Sequence, residues 1–263
     1  MRTLLLIGAL IMFFPFLWMV SSALKNGVEA FATPPTIWPH KPTSVNFDRV
    51  SQFLDLKRLI LNSILVSVIA TGMQILTSGL AGFAFARLEF RGKKVLFLLY
   101  LMTMMIPLQV VIVPLYLQMR TLNLIDTYPG LILPMISSAF GVFLIRQAMF
   151  AIPRELEEAA ILDGANLLRI FRNVAVPLTL PSFATLGILS FMSTWNSFLW
   201  PLIIISSPEK MTLPLGIANL YGEHNTDWPL VMAATSISVV PLVVVYIFLQ
   251  KQITQSFLTT GIK

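Results

Sequence analysis

No cysteine occurs in the 263 residues. Disulfides, thiolate metal sites and cysteine nucleophiles are thereby excluded, while the compartment stays open. Histidine is almost as scarce: His40 and His224 are the only two and stand far apart in sequence. Neither forms a metal site alone, and no G-x-S-x-G elbow supports hydrolytic catalysis. A nucleotide loop of the form G-x-x-x-x-G-K-[S/T] is missing too. The nearest stretch, RGKK at 91–94, lacks the preceding glycine and the hydroxyl residue, so the chain is not expected to bind ATP itself. Charge is scarce throughout: Asp, Glu, Lys and Arg make up 11%, against roughly a quarter in soluble domains.

Apolar residues fill the space, at 56% with a mean hydropathy of +0.81. Six runs carry no Asp, Glu, Lys or Arg: Thr3–Leu24, Leu59–Ala86, Val95–Met119, Thr127–Ile145, Asn173–Pro208 and Trp228–Gln250. A bilayer-spanning helix needs about 20 apolar residues. Pro177 and Pro181 mark the entry of the fifth run and Ser206-Ser207-Pro208 its exit. Only helices satisfy their own backbone in lipid without closing a barrel. The expectation is an all-α, polytopic membrane helical bundle forming one transmembrane domain over 1–263. Its spans lie at about 3–24, 59–86, 95–119, 127–145, 182–206 and 228–250. The first run also has features of a cleaved signal sequence, with Arg2 before it and Ser21 and Ala23 at its end. Its apolar core, Leu4–Val20, is longer than the usual 7–15 residues, and six spans are retained.

Basic residues flanking the spans orient the chain. With the N-terminus inside, eleven of the 18 basic residues lie inside and seven outside. Five of the 12 acidic residues lie inside. Both termini are therefore expected on the inner side of the membrane, although the first outer loop alone carries five basic residues. The high pI of 9.8 reads as a topology signal and not as a sign of a nucleic-acid partner.

That outer loop contains FATPPTIWPHKP, residues 31–42, whose four prolines favour a stiff, extended course over the membrane surface. Phe31 and Trp38 suit the interface. No internal repeat or low-complexity tract is present. Within the runs, Pro15, Pro107, Pro114, Pro134, Pro201 and Pro241 each remove a helical hydrogen bond, either as hinges or as packing features.

The cytoplasmic segment 151–181 is unlike its surroundings. Glu155, Glu157, Glu158 and Asp163 crowd into ELEEAAILDGA, residues 155–165. Pro153 suits a first helical position, and the glutamates sit where the helix dipole favours negative charge. Gly164 is placed for a left-handed stop. Asn166 caps a second short helix, and Pro177 ends it. Leu156, Ala159 and Ala160 share a face, leaving a shallow surface for another backbone. Taken alone, EEAA also reads as an ordinary solvated helix, since Glu and Ala are good helix formers.

The whole arrangement resembles the signature of ATP-binding-cassette importer permeases: Glu158-Ala159-Ala160, then Gly164, then Val174-Ala175-Val176-Pro177. The stretches at 81–94, 146–160, 195–202 and 212–234 look like the carbohydrate branch, specifically its maltose-type second permease. The core family region would be 58–250. The resemblance implies that Glu158, Ala159, Ala160, Gly164 and Pro177 form a coupling element docking on a cytoplasmic ATPase subunit. It implies a second permease (heterodimer or homodimer), two ATPase subunits that hydrolyse ATP, and an extracytoplasmic substrate-binding protein. One departure is Ser197, which follows Trp-Asn where the branch often has an acidic residue, so no role for that charge carries over.

The spans contain none of the charges on which proton- or sodium-coupled carriers commonly rely, so energy is expected from outside the bundle. A stand-alone secondary carrier or a membrane-embedded enzyme is the alternative. Neutral polar groups suit a sugar path. The candidates are Gln109, Ser193, Asn196, Ser197 and Trp200, with Thr235 and Ser238 in the last span. The spacing of Ser193, Asn196, Ser197 and Trp200 puts them on one helical face, with Trp195 and Trp200 available to stack on sugar rings. Interhelical hydrogen bonding is an equal reading of the same residues. The outer loop 207–227, with Glu209, Lys210, Glu223, His224 and Asp227, would face the binding protein.

Overall fold

A computed structural model describes residues 2–221 and 226–260, and every regular element among them is helical. Among the described residues three helices are long and apolar enough to cross a bilayer, or up to six spans if each sharply bent pair counts as one. The six charge-free runs thus correspond to candidate spans, three of them broken.

The chain divides into two compact units. One comprises Met1–Ser63 with Ser207–Val244, the other Ile64–Ser206 with Val245–Lys263. In the first, α1 (Arg2–Ala23) is exposed along its apolar length, whereas its C-terminal end is pinned. Asn46 of α3 (Val45–Phe53) donates from Nδ2 to the carbonyls of Ala23 and Lys25, both at 2.7 Å, serving the otherwise unpaired last carbonyls. Between α1 and α3, past the single turn α2 (Gly27–Ala30), Ser21 donates to the Ile37 carbonyl. Lys25 donates to that of Thr36 and lies 4.7 Å from the Trp18 ring. The proline-rich loop is thereby folded onto the helix end. At its start α4 (Leu56–Arg87) grips the segment after Ser206: Asn62 donates to the Glu209 and Met211 carbonyls, both at 2.9 Å. The Leu213 N–H donates to Ser63 Oγ at 2.7 Å.

The second unit shows what proline does in each run. The third run is α5 (Lys93–Met102) and α6 (Leu108–Thr121), bent by 102°. Pro107 pushes Ile106 out of the helical region (φ −91°, ψ 110°) and stands immediately before α6, where its missing N–H costs nothing. Pro114, inside α6, causes no break. The fourth run is α7 (Tyr128–Ile132) and α8 (Ala139–Phe150), joined through a 3₁₀ turn containing Pro134 and bent by 45°.

After α8 the segment 151–181 forms α9 (Arg154–Leu162), α10 (Leu167–Ile170), a wide π-turn over Phe171–Ala175 and α11 (Val176–Leu178). The fifth span follows as α12 (Leu180–Trp195) and α13 (Leu199–Ile204). A six-residue helix, α14 (Leu213–Ala218), and α15 (Trp228–Thr260), which keeps Pro241 inside it, complete the chain.

A tight helix contact in this unit lies between α4 and α8. A β-carbon built on Gly141 would meet Ser78 Oγ at 2.4 Å and Leu186 Cδ1 at 3.0 Å. Ser78 Oγ is buried with no hydrogen-bond partner among the described residues. Gly141→Ala should therefore cost about 1–3 kcal/mol through overpacking. Ser78→Ala, which deletes an unpaired buried hydroxyl, should be close to neutral. The double variant should be more stable than the two single effects add up to, as thermal unfolding of the purified complex would reveal.

Candidate functional site

The segment 151–181 is built on an apolar floor. Phe83 and Ala86 of α4, Ile145 and Met149 of α8, and Ile170, Ala175, Phe183 and Leu186 form one buried cluster. The Phe171 ring meets Phe83 edge-on at 5.3 Å. Above it, α9 starts after Pro153, which stands just outside the helix (φ −57°, ψ 135°) and not at its first position. The helix ends as expected at Gly164, with φ +80°. The Ala165 N–H reaches the Ala160 carbonyl at 2.9 Å and the Gly164 N–H reaches that of Ile161 at 2.9 Å, the paired bonds of a Schellman stop. Asn166 then caps α10, accepting from the Arg169 N–H at 2.9 Å.

Two expectations need correction here. Pro177 does not end the second helix; the chain stays helical to Leu178 and turns by 79° at Thr179. The π-turn before it explains why. A proline ring clashes with the carbonyl four residues back, here that of Asn173, and a wider turn relieves the clash. Nor do Leu156, Ala159 and Ala160 present one common face. Ala160 packs against the floor, while Leu156 and Ala159 are exposed.

The opposite side of the segment is open. Glu155, Glu158, Ala159, Ile161 and Asp163 are exposed, and so are three leucines: Leu162 (88%), Leu168 (68%) and Leu167 (56%). An apolar group of this kind beside acidic residues marks an interaction surface. Gly164 lies within it, and a β-carbon there would meet nothing within 4 Å. Between α8, α9 and the start of α12 lies a cleft of about 450 Å³, lined by Leu144, Gln147, Ile152, Leu156, Leu178 and Thr179 among others.

Two residues that the motif did not single out complete the segment. Arg87, the last residue of α4, donates from Nε to Glu157 Oε1 at 2.5 Å and from Nη2 to the Ile152 carbonyl at 2.9 Å. Both side chains are largely buried, at 7% and 13% exposure. Glu157 thus faces inward while Glu158 faces solvent. A lone arginine after a charge-free run signals only orientation, and its partner is 70 residues away.

The candidate path residues separate into two groups. Gln109, Ser193 and Asn196 are exposed and Ser197 is half-buried. Trp200 is buried in the chain, donating from Nε1 to the Gly130 carbonyl at 3.1 Å. Trp195 is buried as well, stacked on Phe191 at 5.7 Å. Neither indole is free to stack on a sugar. The shared helical face is also absent, because α12 stops at Trp195 and α13 begins at Leu199. The break lets Pro201 sit in the first turn of α13, where its missing N–H is not needed; in a continuous helix its ring would strike the Ser197 carbonyl. Asn196 donates from Nδ2 back to the Met192 carbonyl at 2.9 Å. In the last span, Thr235 donates to the Val231 carbonyl and Ser238 to that of Thr235, both at 2.8 Å.

In the first unit, Arg49 pairs with Asp227 at 2.8 Å. Glu29 accepts from the His40 N–H at 2.8 Å and lies 2.9 Å from the His40 ring. Its carboxyl is held below the ordinary carboxylate range, chiefly by that backbone bond and then by the imidazole. Glu223 and His224 lie outside the described residues. No group of three metal-ligating side chains occurs among the described residues.

Known proteins share this fold and sequence pattern. The sulfoquinovosyl glycerol transport system permease protein SmoH of Agrobacterium fabrum is 34% identical over 252 residues, covering 95% of this chain and 88% of its own. The arabinooligosaccharides transport system permease protein AraQ of Halalkalibacterium halodurans is 35% identical over 202 residues, 77% of this chain and 72% of its own. A crystal structure of a bacterial ABC transporter involved in the import of the acidic polysaccharide alginate contains a chain with a TM-score of 0.84. It is 25% identical, with 95% of this chain and 94% of that one covered. The family described as binding-protein-dependent transport system inner membrane component matches residues 74–258, and the chain belongs to it.

Proposed function

We propose that the chain is one of two permease subunits of an ATP-driven importer and forms part of the translocation path for a sugar or oligosaccharide. The observation that carries this reading is the two-faced inner segment. One face of α9 and α10 packs onto the ends of the spans, and the other presents Leu162, Leu167, Leu168 and Ala159 to the cytoplasm. Glu158, Ala159 and Gly164 belong to the docking side for an ATPase subunit, Ala160 to the floor side, and Pro177 to the turn that leads into α12. ATP is hydrolysed by the two ATPase partners, and both termini lie in the cytoplasm. Delivery by an extracytoplasmic binding protein follows from the family. A glycoside cargo is supported by the two relatives and the alginate transporter, all named for saccharides or their derivatives.

Gln109, Ser193, Asn196 and Ser197 supply uncharged hydrogen-bonding groups for hydroxyls along the path. Trp200 is assigned to packing. Asn196→Leu removes both the amide and the bond that finishes α12, worth about 1 kcal/mol. It should slow transport several-fold while the ATPase subunits still co-purify; unaltered uptake would limit Asn196 to packing. The reading as a whole is tested by purifying the chain with its partners, reconstituting them in liposomes and screening saccharides for stimulated ATP hydrolysis. Solute crossing without nucleotide, in a preparation that holds no ATPase, would overturn it.

A further inference from the structure

We propose that Arg87 is a positioning residue that ties the docked helix to the second span, so that movement of α9 is passed into α4 as well as along the chain into α12. The proposal rests on the coupling role assigned above to α9. Continuity of the chain already links α9 to α12 through α10, the π-turn and α11. The chain reaches α4 from α9 only by the long way back through α5 to α8. Arg87 makes that connection with one rigid group, because Nε holds Glu157 on α9 while Nη2 holds the carbonyl of Ile152, two residues before α9 begins.

The guanidinium suits the task by its shape. Its donors lie in one plane at fixed angles, so two acceptors held at once set both the position and the direction of the helix start. A lysine ammonium reaches either acceptor but fixes no angle between them. Burial makes the link stiff, since little water competes for either charge.

The rest of the α9 seat is weak. Ala160 is its contribution to the apolar floor, and Leu156 borders the cleft instead of filling a solid core. By contrast, Phe83, Ala86, Ile145 and Met149 hold α4 against α8 whether or not Arg87 is present. Losing the arginine should therefore loosen α9 without dismantling the spans. Glu157 is assigned to this strut, and the exposed Glu155 and Glu158 are left to the docking face.

The test uses the complete transporter in proteoliposomes with its binding protein, measuring solute imported per ATP hydrolysed. Arg87→Gln should keep the ATPase subunits at wild-type stoichiometry and ATP turnover within about twofold, yet lower the import-to-ATP ratio about tenfold, within the range reported for coupling networks. Arg87→Lys should fall between that variant and the wild type. The double exchange Arg87→Glu with Glu157→Arg should recover part of the ratio, a rescue that a general loss of stability does not give. A wild-type ratio for Arg87→Gln overturns the proposal. So does a fall that merely tracks loss of ATPase subunits from the complex. If Arg87→Gln does not accumulate, Glu157→Ala, which leaves Arg87 on the Ile152 carbonyl, should show the same uncoupling, and its wild-type ratio is equally fatal. Gly164→Asp run in parallel separates the two levels. Normal transport by that variant removes the coupling reading itself, whereas a dead Gly164→Asp beside a normal Arg87→Gln removes only the strut.

Discussion

Gly164→Asp should abolish transport while leaving the chain in the membrane at near-normal levels. The residue has φ +80° and is surrounded by open space. Within the chain alone, therefore, the cost of a side chain is the left-handed backbone, about 1–2 kcal/mol, and Asp tolerates that region better than most residues. The spans do not depend on this corner, which lies on the outer side of the segment beside Asp163, Leu162 and Leu167. What the substitution changes is the surface offered to a partner. A second carboxylate next to Asp163 puts like charges side by side, and its added atoms stand where an approaching backbone must fit. Gly164→Asn separates these effects, since it accepts the same backbone and adds bulk without charge. It should retain partial transport. The measurements are the amount of chain in purified membranes, ATPase co-purification and ATP-dependent uptake. Normal uptake by Gly164→Asp would show that no partner approaches this corner.

The corner was legible in sequence because a Schellman stop is local: Gly164, the N–H bonds of Gly164 and Ala165 and the cap at Asn166 all lie within a few residues. The spans were legible for a different reason. Lipid excludes charge so strongly that six uncharged runs stand out without any knowledge of their contacts. The breaks within those runs were not legible to the same degree. Pro107 accompanies a 102° bend and Pro114 sits in a helix with no break, yet as sequence the two look alike. The common face expected for four of the path residues failed on the same point. The spacing of Ser193, Asn196 and Trp200 has meaning only on a continuous helix, and Pro201 ends that continuity four residues downstream of the Ser197 carbonyl. Arg87 with Glu157 and Trp200 with Gly130 are each 70 residues apart. Pairs of that kind follow from how the helices pack, which a single sequence does not spell out.

Gly130→Ala should prevent the chain from accumulating in a folded state. A β-carbon at this position would lie 2.1 Å from the Leu124 carbonyl oxygen, and that atom is backbone with no rotamer to yield. The surroundings hold it firmly. Thr127 Oγ1 donates to that same carbonyl at 2.7 Å and accepts from the Gly130 N–H at 3.1 Å, closing the turn into α7. Asn123 and Asp126 both have φ 54°, so the corner already stores left-handed strain on two non-glycine residues. It is clamped to α13 as well: the Asp126 N–H donates to the Ile204 carbonyl at 2.8 Å, and Asp126 Oδ1 accepts from the Ser206 N–H at 3.1 Å. Relieving the clash means moving the Leu124 turn, which breaks these bonds together with the Trp200 indole bond to the Gly130 carbonyl. At about 1 kcal/mol for each ordinary hydrogen bond and more for groups left buried and unpaired, the loss is a large share of the 5–15 kcal/mol that stabilises a typical protein. Trp200→Phe provides the scale. It removes the indole bond and keeps most of the ring volume, so it should cost about 1–3 kcal/mol and still allow assembly. Comparing monodisperse yield and thermal midpoint of the two variants decides the matter. If Gly130→Ala matches Trp200→Phe, the corner is softer than its geometry implies, and the clamp between α7 and α13 is not what holds the fifth span in its broken form.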